Sequence, residues 1–255
     1  MFGYAGTNRA ITTLLGSDLD VLLVLGSSMN LRDTLFWSRQ LATRTQIIQI
    51  DIDPTMLGHD YPVPHTIVSD CRQTLQQLCK FADEELRQLT QSAPARRKCT
   101  AELKALPAHF NTEKQTSDAT PIHPARLIAE IRRALPHEII LFVDSGAHRA
   151  FAGHYWESFG PGGVRSATNL GPMGWAIPAA IGGKLARPET PVVVITGDGC
   201  RRMHGMEIAT AARYRVPVLF VASNKNLRQK KSNRCWRKQF YCQILLRRTM
   251  VGFKS

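Results

Sequence analysis

Apolar positions along the chain fall into two kinds of run that alternate. Short, largely β-branched runs at Leu19 to Leu25, Ile47 to Ile52, Glu138 to Asp144, Val192 to Thr196 and Pro217 to Ala222 have the length and density of buried strands. Segments with helical spacing lie between them. Leu35 to Ala42 is one, and Cys71 to Leu89 is another, with Leu75, Leu78, Cys79, Ala82 and Leu86 on one face. Pro121 to Pro136, Met173 to Leu185 and Met203 to Arg213 complete the set. This alternation predicts the α/β class, in two doubly wound parallel-sheet domains. Residues 1–90 form the first domain and 119–224 the second. Residues 91–118, rich in Ala, Thr, Lys, Gln and Pro, read as a helix-containing linker.

Composition agrees with this picture and removes several alternatives. The chain has 255 residues, 44% hydrophobic and 21% charged, enough for one or two cores. No apolar run approaches the roughly 18 residues of a membrane span. The N-terminus lacks the charged-then-apolar layout of a secretory signal. Six cysteines show neither Cys-x-x-Cys pairs nor zinc-finger spacing, so free thiols and a cytoplasmic location are expected. The net charge of +13 points at first to nucleic acid. Yet ten of the 33 Lys and Arg lie in 225–255, where no Asp or Glu occurs, so residues 1–224 carry 23 basic against 20 acidic groups. One tail makes the protein basic. It contains no recognisable nucleic-acid module and leaves only non-specific counterion release as a binding term.

The most informative chemistry lies at Gly197-Asp198-Gly199, which follows the Val192 to Thr196 run. A Gly-Asp-Gly turn at a strand's carboxyl end lets backbone approach a phosphate closely, and a following helix favours its charge. Asp198 supplies a hard carboxylate for a divalent cation bridging that phosphate. Alone the triplet is also a common turn. Its surroundings, Gly171-Pro172-Met173-Gly174-Trp175-Ala176-Ile177-Pro178 upstream and His204-Gly205-Met206-Glu207-Ile208-Ala209-Thr210-Ala211 downstream, make the difference.

Together these motifs resemble the cofactor-binding domain of thiamine-diphosphate-dependent enzymes of the acetolactate synthase type. The resemblance is close over about 119–224 and extends to 1–90, which resembles that family's Rossmann-like central domain; both domains are expected to be incomplete. It implies a site for thiamine diphosphate and Mg²⁺. By resemblance Gly171 offers its carbonyl to the aminopyrimidine, Met173 wedges the cofactor into its bent form, and His148, read as a loop residue, contacts the diphosphate. Asp198 matches the metal ligand. Gly197, Gly199 and Cys200 match the backbone around the diphosphate, and Cys200 is read as a packing residue rather than a nucleophile. The family's central domain binds FAD in some members. Here Gly26-Ser27-Ser28 lacks the Gly-x-Gly-x-x-Gly fingerprint, and Asp51-Ile52-Asp53-Pro54 serves equally as a plain turn, which favours the structural reading.

Two departures bear on activity. The family closes its metal site with an Asn-Asn or Asn-Asp pair after the next strand; here Asn224 is followed by Lys225. An ammonium about 4 Å from Mg²⁺ is repelled by roughly 8 kcal/mol at an effective dielectric of 20, so one oxygen ligand is expected to be lost. From Lys225 onward resemblance and acidic residues stop together. A shifted reading frame explains this, with a lineage-specific basic tail as the alternative. The 225–255 segment is expected to be loosely attached. The family also carries its catalytic glutamate on a pyrimidine-binding domain that 1–255 does not resemble. The expected function is therefore part of a 2-oxo acid decarboxylase or carboligase, inactive alone, with a homo-oligomer or a full-length relative as the expected partner. A non-catalytic partner of a full-length relative and a basic-tail nucleic-acid binder are the alternatives.

Overall fold

The computed structural model describes residues 8–16, 19–31, 34–41, 45–84, 93–107, 109–168, 170–225 and 240–245. The chain divides into two compact units, 1–110 and 111–255.

In the first unit, helix α1 (Arg9–Leu15) opens on Asn8, whose side chain accepts from the Ile11 amide at 3.1 Å. Strands β1 (Val21–Leu25), β2 (Gln46–Asp51) and β3 (His65–Val68) form a parallel sheet in that order. Helices α2 (Cys71–Glu84) and α3 (Ala93–Ala105) follow. Val24, Met29, Leu41, Ile47 and Tyr61 form the core. A polar residue, Gln49, sits buried in the central strand because all its groups are used. Its Nε2 donates to the Ser27 and Met56 carbonyls at 3.1 and 3.0 Å, and its Oε1 accepts from the Gly58 amide at 2.9 Å. β3 escaped the periodicity reading. Over the 35–42 stretch expected to be helical, the described residues begin as a turn, and helical backbone starts only at Gln40 and Leu41. Leu35, Phe36 and Trp37 take left-handed backbone in a turn. Phe36 and Trp37 are exposed (76% and 50%) while Leu41 is buried in the core, so only the end of this stretch has a surface to pack against.

In the second unit, α4 (Pro124–Ala134) leads to β4 (Ile140–Val143), α5 (Ala147–Tyr155), β5 (Val164–Arg165), α6 (Ala176–Ala186) and β6 (Val192–Gly197). Then come α7 (Asp198–His204), α8 (Glu207–Arg213), β7 (Leu219–Lys225) and β8 (Phe240–Leu245). The sheet order is β5-β4-β6-β7-β8, parallel except for β8. Both faces are covered, which is why the β6 run is unbroken in its hydrophobicity. Leu141, Val143, Val193 and Ile195 pack with Ala125, Ile128, Ala152 and Tyr155 of α4 and α5. Phe142, Val192 and Val194 pack on the other face with Ala176, Ile177 and Ala180 of α6 and Ala211 of α8. The α/β class and the parallel sheets are as the sequence implied.

The structure changes three further details. The helix expected over 203–213 begins at Asp198 and breaks at Gly205-Met206. His148 belongs to α5, not to a loop, and is buried. Beyond Lys225, where no regular element was expected, Phe240-Tyr-Cys-Gln-Ile-Leu245 pairs antiparallel with β7 in register Lys225↔Phe240 to Phe220↔Leu245. This run is rich in strand-forming types and satisfies the otherwise open edge of β7. Residues 226–239 and 246–255, on which the remaining expectation of a loose tail falls, lie outside the described residues.

Candidate cofactor site

From β4 the chain crosses to β5 on one side, then returns to β6 on the other. The crevice beyond the carboxyl ends of β4 and β6 is therefore a topological switch point, where α/β sheets bind ligands. Asp144-Ser145-Gly146 leaves β4 there, and Gly197-Asp198-Gly199 leaves β6.

All seven residues singled out in the sequence come to this edge. The His148 ring lies against Gly197: a β-carbon built on that glycine would stand 3.1 Å from His148 Cε1 and 3.2 Å from Nδ1. One built on Gly146 would stand 2.8 Å from Cε1. Two glycines thus form the recess that admits the imidazole. His148 is 7% exposed, and its buried Nε2 has no hydrogen-bond partner. Burial pushes the imidazole below its ordinary value near 6.5; the charge of Asp144, a hydrogen bond to the Asp144 main chain and the charge of Asp198 oppose that shift without cancelling it.

Asp198, Gly199 and Cys200 form the first turn of α7, with Gly197 at its cap and no side chain capping its amides. The Cys200 thiol donates to the Ser145 carbonyl at 3.0 Å. Burial raises its pKa from the ordinary 9.0, the Gly174 and Gly197 main chain acting against the shift and Asp144 with it. A buried, protonated thiol that is used as a donor fits the packing role and not a nucleophile.

The Gly171–Gly174 turn faces this helix start. The Met173 methyl lies on the Gly199 main chain, 3.0 Å from where a β-carbon would be. Met173 remains 42% exposed, on the open side of the crevice. The Gly171 carbonyl accepts from Ser145 Oγ at 2.6 Å, which leaves one lone pair for a further donor.

Sequence reading passed over Asp144, Ser145 and Thr196, which tie these pieces together. The Asp144 carboxylate accepts from the Ser145 amide at 3.0 Å, the Gly174 amide at 2.8 Å and Thr196 Oγ1 at 3.1 Å. An Asp closing an apolar strand at the carboxyl edge was the available signal. Among the described residues no three His, Cys, Asp or Glu gather as a metal cage. Asp198 offers one carboxylate, which suits Mg²⁺ held mainly by phosphate oxygens and water. The pairing Gly197↔Ser223 places Asn224 and Lys225 at the same edge, one and two residues further along β7. Their side chains, and so the expected loss of a ligand at Lys225, lie outside the described residues. No described helix is long and apolar enough to cross a membrane.

Comparison with known proteins bears on both units. Residues 1–78 match the model of the thiamine pyrophosphate enzyme central domain, and 144–229 that of the C-terminal TPP binding domain. A probable acetolactate synthase large subunit of Methanococcus aeolicus is 30% identical over 239 residues, covering 89% of this chain and 39% of the relative. The acetolactate synthase isozyme 3 large subunit of Escherichia coli K12 is 31% identical over 224 residues, covering 88% and 38%. A probable 2-ketoarginine decarboxylase of Pseudomonas aeruginosa is 30% identical over 197 residues, covering 77% and 33%. The chain spans about two fifths of the length of the first two relatives and a third of the third. With two domain models matched in family order, and the TPP-binding one lying on the switch-point crevice, the chain belongs to the thiamine-pyrophosphate-dependent enzyme family of the acetolactate synthase type.

Proposed function

We propose that the carboxyl edge of the second sheet holds the diphosphate of thiamine diphosphate, with Mg²⁺ on Asp198. On this reading the chain forms part of a cytoplasmic 2-oxo acid decarboxylase or carboligase resembling acetolactate synthase. The observation that carries the reading is the buried, unpartnered Nε2 of His148, set in a recess of two glycines beside an uncapped helix start. Such an atom costs about 1–3 kcal/mol while it lacks a partner. In the imidazolium form, Nε2–H would donate to an anionic oxygen brought in by the diphosphate, and the amides of Asp198, Gly199 and Cys200 would add donors.

When bound, thiamine diphosphate would supply a thiazolium ring that serves as nucleophile once its carbon is deprotonated and as an electron sink during loss of carbon dioxide. The residues of this chain bind and orient. Met173 presents an apolar contact above Gly199, Gly171 keeps an acceptor free, and Asp198 gives the metal one hard oxygen. The glutamate that moves protons on the aminopyrimidine belongs, by resemblance, to a pyrimidine-binding domain. The 255-residue chain assayed alone with pyruvate, Mg²⁺ and thiamine diphosphate is therefore expected to release no carbon dioxide above background; sustained turnover by the pure chain contradicts this.

The binding test compares thiamine diphosphate with thiamine, each titrated with Mg²⁺ into the full chain and followed by NMR. With only the diphosphate side present, affinity for the diphosphate form is expected at about the millimolar level, near 4 kcal/mol. Thiamine should bind at least about tenfold more weakly, a difference of 1.4 kcal/mol. Equal affinities would remove the diphosphate assignment.

A further inference from the structure

We propose that Asp144 is a positioning residue that clamps the Met173 turn over the Gly197–Gly199 turn and so sets the spacing between the two walls of the crevice. The inference rests on the cofactor reading above only for the ligand's identity, since the clamp itself is visible in the protein.

The Gly171–Gly174 turn is pinned at both ends. The Gly171 carbonyl is held by Ser145 Oγ at 2.6 Å, and the Gly174 amide by Asp144 Oδ1 at 2.8 Å. Both glycines have left-handed backbone, φ +64° and +85°, so the turn bends sharply between its pins. At Gly174 a β-carbon would also collide with the His204 ring and come within 3.1 Å of Met203 Cβ, which seats the turn directly on α7. Met173 lies between the pins, and its methyl is thereby delivered onto Gly199.

What locates the clamp is the other carboxylate oxygen. Oδ2 accepts from Thr196 Oγ1 at 3.1 Å, and Thr196 directly precedes Gly197 on β6. The Thr196 carbonyl in turn accepts from Ser223 Oγ of β7 at 3.2 Å. One side chain therefore refers the Met173 turn to the strand that carries the Gly-Asp-Gly segment. Asp144 is 1% exposed, so water does not compete for either oxygen. Three donors converge on it, and no Lys or Arg forms an ion pair with it among the described residues. A carboxylate is suited to this because both oxygens only accept. An asparagine keeps one such oxygen for Gly174 and turns a donor toward Thr196, whose hydroxyl has the Gly197 carbonyl at 3.5 Å as an alternative acceptor.

Amide hydrogen exchange of the full chain tests the clamp without ligand. Asp144→Ala should speed exchange at Gly174 by at least about tenfold, while Val193 and Ile195 in the β6 core stay within about twofold. Asp144→Asn should restore Gly174 to within about threefold of the unmodified chain. If Asp144→Ala does not fold, Thr196→Val releases Oδ2 alone and should still speed Gly174 exchange by about threefold with the core unchanged. Gly174 exchange that ignores these substitutions, or that rises only together with the core, overturns the proposal.

A second measurement uses Mg²⁺-pyrophosphate and Mg²⁺-thiamine diphosphate as probes. Pyrophosphate would need the Gly197–Cys200 side and His148 but not the Met173 turn, whereas thiamine diphosphate would need that turn as well. Asp144→Ala should weaken the larger probe about tenfold more than the smaller one. Equal losses would show a general structural defect and overturn the proposal. If the unmodified chain binds neither probe, the cofactor reading fails while Gly174 exchange still decides the clamp.

Discussion

Replacing His148 by leucine separates the cost of its orphaned nitrogen from its use. In the ligand-free protein the buried Nε2 has no partner, which destabilises the fold by about 1–3 kcal/mol. Leucine has a similar volume and no polar atom, so this penalty disappears. The substitution also removes the hydrogen bond to the Asp144 main chain, worth about 0.5–1.5 kcal/mol. The two terms oppose one another, and at pH 8 His148→Leu should lie between about 0.5 kcal/mol less stable and about 2.5 kcal/mol more stable than the unmodified chain. Binding should behave differently. A bond from Nε2–H of the protonated imidazole to a charged phosphate is worth about 1.5–3 kcal/mol, so at pH 5.5 affinity for Mg²⁺-pyrophosphate should fall between about 10-fold and 150-fold. The pH dependence carries an independent sign. Burial holds the folded-state pKa of His148 below the unfolded value near 6.5, so the unfolded chain takes up the proton first. Its contribution to stability is complete above that value and is lost as pH falls below it toward the folded pKa. His148→Leu should remove this part of the acid sensitivity. Urea unfolding at pH 8 and pH 5.5, with pyrophosphate titrations by NMR at pH 5.5, tests the set. Unchanged pyrophosphate affinity, or a stability loss beyond about 3 kcal/mol at pH 8, would refute the reasoning, because Nε2 would then have a structural role and not a binding one.

Asp198→Ala should abolish any Mg²⁺ dependence of thiamine diphosphate binding, as measured by titration with and without the metal; retained metal dependence would place the ion elsewhere. Lys225→Asn should improve Mg²⁺-dependent binding about tenfold, or 1.4 kcal/mol, by supplying an oxygen where the family pattern expects one. Arg132→Ala should lower the stability of the chain by about 3–5 kcal/mol in urea unfolding. This guanidinium is 8% exposed and donates to the Glu157, Leu135, Pro136 and His137 carbonyls. It also lies over the rings of Trp156 and Phe159 at 5.4 and 4.6 Å, so its loss strands several acceptors at once.

The sequence by itself determined the class of fold and where its chemistry would lie. Val192 to Thr196 reads as a strand because a parallel strand covered on both faces must be apolar throughout, and glycine beside a carboxylate at its end is a local pattern. The start of the 35–42 stretch is a turn and not helix, because periodicity reports a face able to be buried and not a surface that buries it. The Asp198 helix start, the burial of His148 and the pairing of 240–245 were not legible for a related reason: each depends on a neighbour distant in the chain. His148 is enclosed only where Gly197 meets it. Asp144 finds Gly174 and Thr196 at separations of 30 and 52 residues, across a crevice that exists only after β5 and β6 have taken opposite sides of β4. Local propensity carries the elements. The pairing of buried polar groups is settled by which segments the chain crossings bring together, and the tertiary structure alone decides that.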